Sequence, residues 1–244
     1  MQRRVYPGGG FGRHIALPIE PAMGSPAIYG YVLAAAAAGV AAMRMHAAAM
    51  ARDQQADSLD AWAAFNGYEP MPASAVGRTP LLRLDGARRH VHAVPVGPQG
   101  GAIYRYGYTA GGGGDSTPVE LTVVQALFAA GFPRLRVEPR DGAPSGIAAH
   151  GLREVDLESS EFAARFRLAV DADADPRLVL ALFQPDLIVW WVEHAAGMLI
   201  EYELGTLVAA GADAARWADF EALVEVAEHV GDRLVAAGLS ALRR

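Results

Sequence analysis

Val155 to Val170 reads VDLESSEFAARFRLAV. Two alternating runs, Val155/Leu157 and Phe166/Leu168/Val170, flank six residues of helix-forming sequence, Ser160 to Arg165. Alternation places every second side chain on one face of a strand, whereas a helix turns each residue by about 100°. The stretch therefore reads as strand, helical turn, strand. Phe162 and Phe166 stand four apart, so both rings can close over one core. Glu158 sits at the turn, where its carboxylate could accept backbone N–H groups at the start of the short helix. Leu157, Glu158, Phe162 and Phe166 are the structural motif of the chain. The segments before the motif build toward a sheet, and those after it are helix and hairpin that would cover one.

Upstream, strand signals recur at Leu81–Leu84, His90–Val96, Ile103–Tyr108, Val119–Phe128 and Leu135–Val137, punctuated by Gly-rich turns such as Asp85-Gly86 and Gly111–Gly114. Short connections favour antiparallel neighbours. Tyr104, Tyr106 and Tyr108 alternate, so all three share one face. Before the strands, Ser58 caps a helix over Leu59–Phe65 that ends at Asn66-Gly67, with Trp62 and Phe65 expected to face the core. Asp141–Gly151 reads as a bridge between the halves. Downstream, Asp175 is an N-cap with Pro176 at the first helical position. A helix continues from there to Phe183, and Pro185 begins another that runs to His194. Leu199–Glu203 and Thr206–Ala209 form a hairpin around Gly205. A last helix spans about Asp213 to Ala237. Trp217, Phe220, Leu223, Val224, Ala227, Val230 and Leu234 form its apolar stripe, opposite Glu221, Glu225, Glu228 and Asp232. The pattern predicts an α+β fold: a mostly antiparallel sheet covered by carboxy-terminal helices, behind an Ala-rich amino-terminal helix.

The 244 residues are 52% hydrophobic and 20% charged, enough for a sizeable core. Cysteine is absent, which excludes disulfides, thiolate metal sites and a cysteine nucleophile. All 21 basic residues are arginine, which excludes Schiff-base chemistry and a phosphate-binding Walker lysine. Residues 1–52 hold five arginines against Glu20, a charge of +4; the remaining 16 arginines face 26 acids, a charge of -10. An acidic globular part argues against a nucleic-acid partner, because neutralising phosphates needs clustered cations.

Residues 1–26, with four prolines and Gly8-Gly9-Gly10, read as an irregular arm. Pro21 to Met43 carries no charge over 23 residues, and its inner part, AIYGYVLAAAAAGVAAM, is mostly alanine. Alanine favours helix strongly and lipid weakly. Residues 27–52 are thus expected as an Ala-rich helix that anchors the chain in a membrane; a helix packed on protein is the competing reading. Residues 53–244 are the soluble domain, β-rich over 53–140 and α/β over 150–244.

Few residues suggest chemistry. His90 and His92 lie two apart on a strand and could share a metal, but a third ligand would have to come from elsewhere. No metal or cofactor is expected. Glu201 and Glu203 share a strand face just after Glu193-His194, and paired carboxylates can do acid–base work. Asp171-Ala-Asp-Ala-Asp175 lacks the glycine and the glutamate of a calcium loop. No triad or dinucleotide fingerprint can be assembled, so no catalytic residue is assigned. Trp190 and Trp191 are neighbours on a helix and point about 100° apart. One of them is expected at the surface as a binding anchor, since aromatics anchor interfaces; burial of both is the alternative.

The order of parts resembles an uncharacterised group of actinobacterial single-pass membrane proteins of unknown function. The likeness rests on Ala61-Trp62-Ala63-Ala64 leading to Asn66-Gly67-Tyr68, and on a Leu-Glu-Ser-x-Glu-Phe-x-x-x-Phe-x-Val pattern. Here that pattern is Leu157-Glu158-Ser159, Glu161-Phe162 and Phe166-Arg167-Leu168, with leucine in the last place. It covers about residues 27–236. The resemblance implies a membrane anchor and an α+β soluble domain on the cytoplasmic side, and carries over no catalytic residue. The expected function is a non-enzymatic, membrane-anchored binding or scaffolding domain with a protein partner, or a subunit of a larger membrane assembly. A soluble cytoplasmic protein is the alternative location. The alternative function is a small hydrolase with a site built from His90, His92 and the Glu193–Glu203 hairpin.

Overall fold

A computed structural model describes residues 58–77, 86–110, 117–128, 131–141, 151–212, 214 and 216–242, together with Met43 and Met50. The chain divides into two units, Met1–Met50 and Ala51–Arg244. In the first unit only Met43 and Met50 are described, both helical and exposed. The arm expected over residues 1–26, nearly all of the helix expected over 27–52, and the strand expected at 81–84 lie outside the described residues. Among the described residues no helix is long and apolar enough to cross a membrane.

The second unit is built from α1 (58–65), β1 (Gly86–Val94), β2 (Gly101–Ala110), β3 (Thr117–Leu127), β4 (Leu135–Pro139), β5 (Leu152–Val155), α2 (Ser160–Arg165), β6 (Phe166–Asp171), α3 (Pro176–Leu182), α4 (Pro185–His194), β7 (Met198–Glu203), β8 (Thr206–Gly211) and α5 (Trp217–Leu242). The strands form one eight-stranded sheet in the order β1-β2-β3-β8-β7-β4-β6-β5, antiparallel at every step. The fold is α+β, as its periodicities predict. The hairpin expected to cover the sheet instead enters it: β8 pairs with β3, and β7 pairs with β4. β8 is buried from Leu207 to Gly211 and β7 at Ile200, Glu201 and Tyr202, which suits the centre of a sheet rather than a lid.

One face of the sheet packs against the helices. Ile103, Val124, Leu135, Leu168, Ile200 and Leu207 point into this core. From α5 it receives Phe220, Leu223, Ala227, Val230 and Leu234, while Glu221, Glu225, Glu228 and Asp232 stay exposed, as the helical period requires. The other face is split. Tyr104, Tyr106, Val123, Val208 and Ala210 form a second apolar cluster toward β1. Toward β5 the same face is charged, with Arg136 beside Glu138 and Arg134 joining Asp171 and Glu203.

The motif at 155–170 folds largely as its pattern predicts. Phe162 and Phe166 are buried with ring centroids 5.2 Å apart. Ser159, not Glu158, is the N-cap: its hydroxyl accepts from the Phe162 N–H at 3.2 Å, and Glu158 is exposed. The shorter serine lies nearer the first free N–H groups. The first strand ends at Val155, leaving Leu157 half-buried beyond it. Asp175 caps α3 with Pro176 in the first turn, as expected. Phe65 departs from expectation and is 76% exposed. The buried stripe of α1 is Leu59, Trp62 and Ala63, and Phe65 lies about 200° around the helix from Ala63. It rests on the half-exposed Trp217, with ring centroids 5.1 Å apart.

Candidate functional site

A β-bulge interrupts β1 between Arg89 and His92, and His90 sits in it with φ 51°. A bulge inserts one residue and re-aims the side chains around it. Here it brings both imidazoles to Asp60 on α1. His90 Nδ1 lies 2.8 Å from Asp60 Oδ2, and His92 Nε2 lies 2.6 Å from Asp60 Oδ1. With the carboxylate ionised, each ring donates an N–H to it. Partial burial works to raise the Asp60 pKa, but the hydrogen bonds from His92 and His90 outweigh it and hold the carboxyl below its usual range. Nδ1 of His92 is buried without a hydrogen-bond partner.

The third group that the histidines lacked in the sequence is thus Asp60. It lies 30 residues before His90 on another element, and no spacing rule links them. Among the described residues no group of three or more His, Asp or Glu is arranged to hold a metal ion. What Asp60 does chemically is clamp α1 to β1 through two hydrogen bonds. On the neighbouring strand β2 lies Arg105, 1% exposed, whose guanidinium donates to Thr122 Oγ1 and to the Ala214 carbonyl and stacks 5.4 Å from the centre of the Phe220 ring. Burial lowers the Arg105 pKa, opposed by the charges of Glu120 and Asp60.

The other acid–base candidates lie elsewhere. Glu201 stands opposite Arg136 in the β4–β7 ladder, and Glu203 lies 3.8 Å from Arg134. Three strands separate β1 from β7. At about 4.8 Å per strand that is roughly 19 Å. His92 pairs with Ile103 and points toward the helices, while Glu201 is adjacent to Ile200 and points to the opposite face. The sheet lies between them, and a site joining His90, His92 and the Glu193–Glu203 hairpin is not formed.

Trp190 and Trp191 divide between surface and core. Trp191 is fully buried against Phe162 and Phe183. Trp190 is half-buried and stacks on His194 at 4.9 Å and on His229 of α5 at 4.0 Å. Asp186 of α4 and Arg233 of α5 form an ion pair that ties the same two helices together. Burial lowers the His229 pKa, with Arg233 adding to the effect. The sequence pattern placed Phe65 toward the core and Trp217 in the apolar stripe of the last helix, but the structure exposes both and packs them on each other.

No family model matches the chain, and no curated protein matches its sequence. Among solved structures, the chain is similar to the crystal structure of the mycobacterial trehalose monomycolate transport factor A, TtfA. The TM-score is 0.50 at 10% identity, covering 74% of this chain and 94% of that one. At that identity the likeness is one of fold.

Proposed function

We propose that this protein is a non-enzymatic accessory subunit of a membrane-associated transport process, anchored through residues 27–52 and presenting its α+β domain to a protein partner on the cytoplasmic side. The observation that carries the reading is the fold shared with a transport factor over most of both chains. The aromatic surfaces support it, because Trp190 and the Phe65–Trp217 pair offer accessible rings on helices fixed by the core. Tryptophan is enriched among residues that dominate binding energy. The uncharged run from Pro21 to Met43 and the resemblance to single-pass actinobacterial proteins support the anchor.

The test places a photo-crosslinking residue at Trp190 or at Trp217 in the full chain, expressed in its native membranes. An accessory subunit gives one discrete cross-linked species from these positions and none from Glu221 on the solvated stripe of α5. Equal, diffuse cross-linking from all three positions refutes the reading.

A further inference from the structure

The β7–β8 hairpin turns on two residues, Leu204 and Gly205, with Glu203 paired to Thr206. Both central residues have positive φ, 48° and 81°. Turns of this kind take Asn-Gly or Asp-Gly, because a left-handed backbone disfavours residues with a bulky Cβ. Glycine answers that need at the second position. Leucine at the first answers neither the backbone nor the solvent, since its side chain is 90% exposed. A residue that goes against both local preferences at a protruding tip points to use of the side chain itself.

Two other segments meet this tip. The Phe128 N–H donates to the Gly205 carbonyl at 2.7 Å. Gly97, with φ 74°, approaches the same place: a Cβ there would stand 3.1 Å from the Leu127 carbonyl oxygen and from the Phe128 ring. The β1–β2 loop, the end of β3 and the β7–β8 turn therefore share one end of the sheet. Residues 93–104, 121–128 and 204–211 contain no charged side chain, and Leu127 is exposed beside the tip. Beside the tip, Glu203 and Asp171 share a single arginine, Arg134.

We infer that this end of the sheet, led by Leu204 and Leu127, inserts into the outer acyl region of a lipid bilayer. The absence of charge from these three segments selects the occupant. Hydrocarbon accepts uncharged aliphatic groups and rejects charge. A protein interface is built around aromatic and arginine anchors, in which leucine is under-represented, within a rim of polar contacts. The inference rests on the membrane setting proposed above, but not on a protein partner. Burying one leucine side chain shifts a partition equilibrium roughly tenfold or more.

The test uses the full chain reconstituted with phosphatidylcholine vesicles that carry a shallow nitroxide lipid. The chain has no cysteine, so Leu127→Cys accepts a single environment-sensitive fluorophore, with Pro98→Cys as a second probe and Glu221→Cys as the control. Emission at Leu127→Cys and Pro98→Cys should shift to the blue and be quenched, with neither change at Glu221→Cys. Adding Leu204→Asn should reduce the quenching about tenfold and leave the melting temperature unchanged or higher, since asparagine accepts both the backbone and the water. The inference is overturned by no quenching at either tip probe, by equal quenching at Glu221→Cys, or by quenching indifferent to Leu204→Asn. A tip probe that responds only to an added protein overturns it in favour of a protein contact. Tip quenching lost while the cross-link from Trp190 or Trp217 persists leaves the accessory-subunit reading standing.

Discussion

Replacing Phe162 by alanine tests the packing around the central motif. The ring is 2% exposed and touches Phe166 at 5.2 Å, Phe183 at 6.0 Å and Trp191 at 6.4 Å between centroids. These neighbours come from the start of β6, the end of α3 and α4, so the cavity left by alanine is walled by separate elements that cannot all close on it. Truncations of this kind cost about 3–5 kcal/mol, the lost transfer energy plus the cavity. The aromatic contacts place Phe162→Ala toward the upper end of that range. In a domain of this size each kcal/mol lowers the melting temperature by about 2–4 °C, so the expected drop is roughly 6–20 °C. Phe162→Leu keeps much of the volume and should lose less. Thermal melts followed by far-ultraviolet circular dichroism measure the drop, and the near-ultraviolet signal of the aromatic side chains, Trp191 among them, reports whether the core loosens first. A Phe162→Ala protein melting within about 2 °C of the parent would show that the ring is not in the core, and the reading of the motif would fail.

Other contacts give three further expected outcomes. His229 has its pKa lowered by burial, so the unfolded chain binds a proton that the folded one resists; stability is full above the ordinary histidine value and falls as pH drops through it. Melting temperature should therefore decline between about pH 7 and pH 5, and His229→Gln should flatten that decline; an unchanged slope counts against the stack on Trp190. Ser159→Ala should cost about 1 kcal/mol by removing the cap, whereas Glu158→Gln should leave the melt where it was; the reverse order would return the capping role to Glu158. The full chain should sediment with membranes and resist alkaline carbonate, while a chain beginning near Asp53 should be soluble and folded. Release of the full chain without detergent would exclude the anchor.

The sequence by itself determined what short-range periodicity can carry. The tyrosine alternation in β2, the three-and-four spacing of Phe220, Leu223, Ala227, Val230 and Leu234, the Asp175-Pro176 helix start and the Phe162/Phe166 pair were legible because each depends on residues within a turn or two of one another. Tertiary structure decided the rest. The strand order, with β8 inserted beside β3, comes from pairing between segments distant in the chain, such as Val124 with Ala209. Asp60 became the partner of His90 and His92 only when α1 packed across β1, and the bulge at His90 turned a simple alternation into a clamp. Phe65 is exposed because Leu59, Trp62 and Ala63 set the buried stripe, and Leu204 stands at a left-handed turn because β7 and β8 pair without a residue to spare. Local patterns state which face of an element is apolar. Which element meets that face is settled by the global minimum of burial and hydrogen bonding, and the polar contacts that form there are a consequence of that choice.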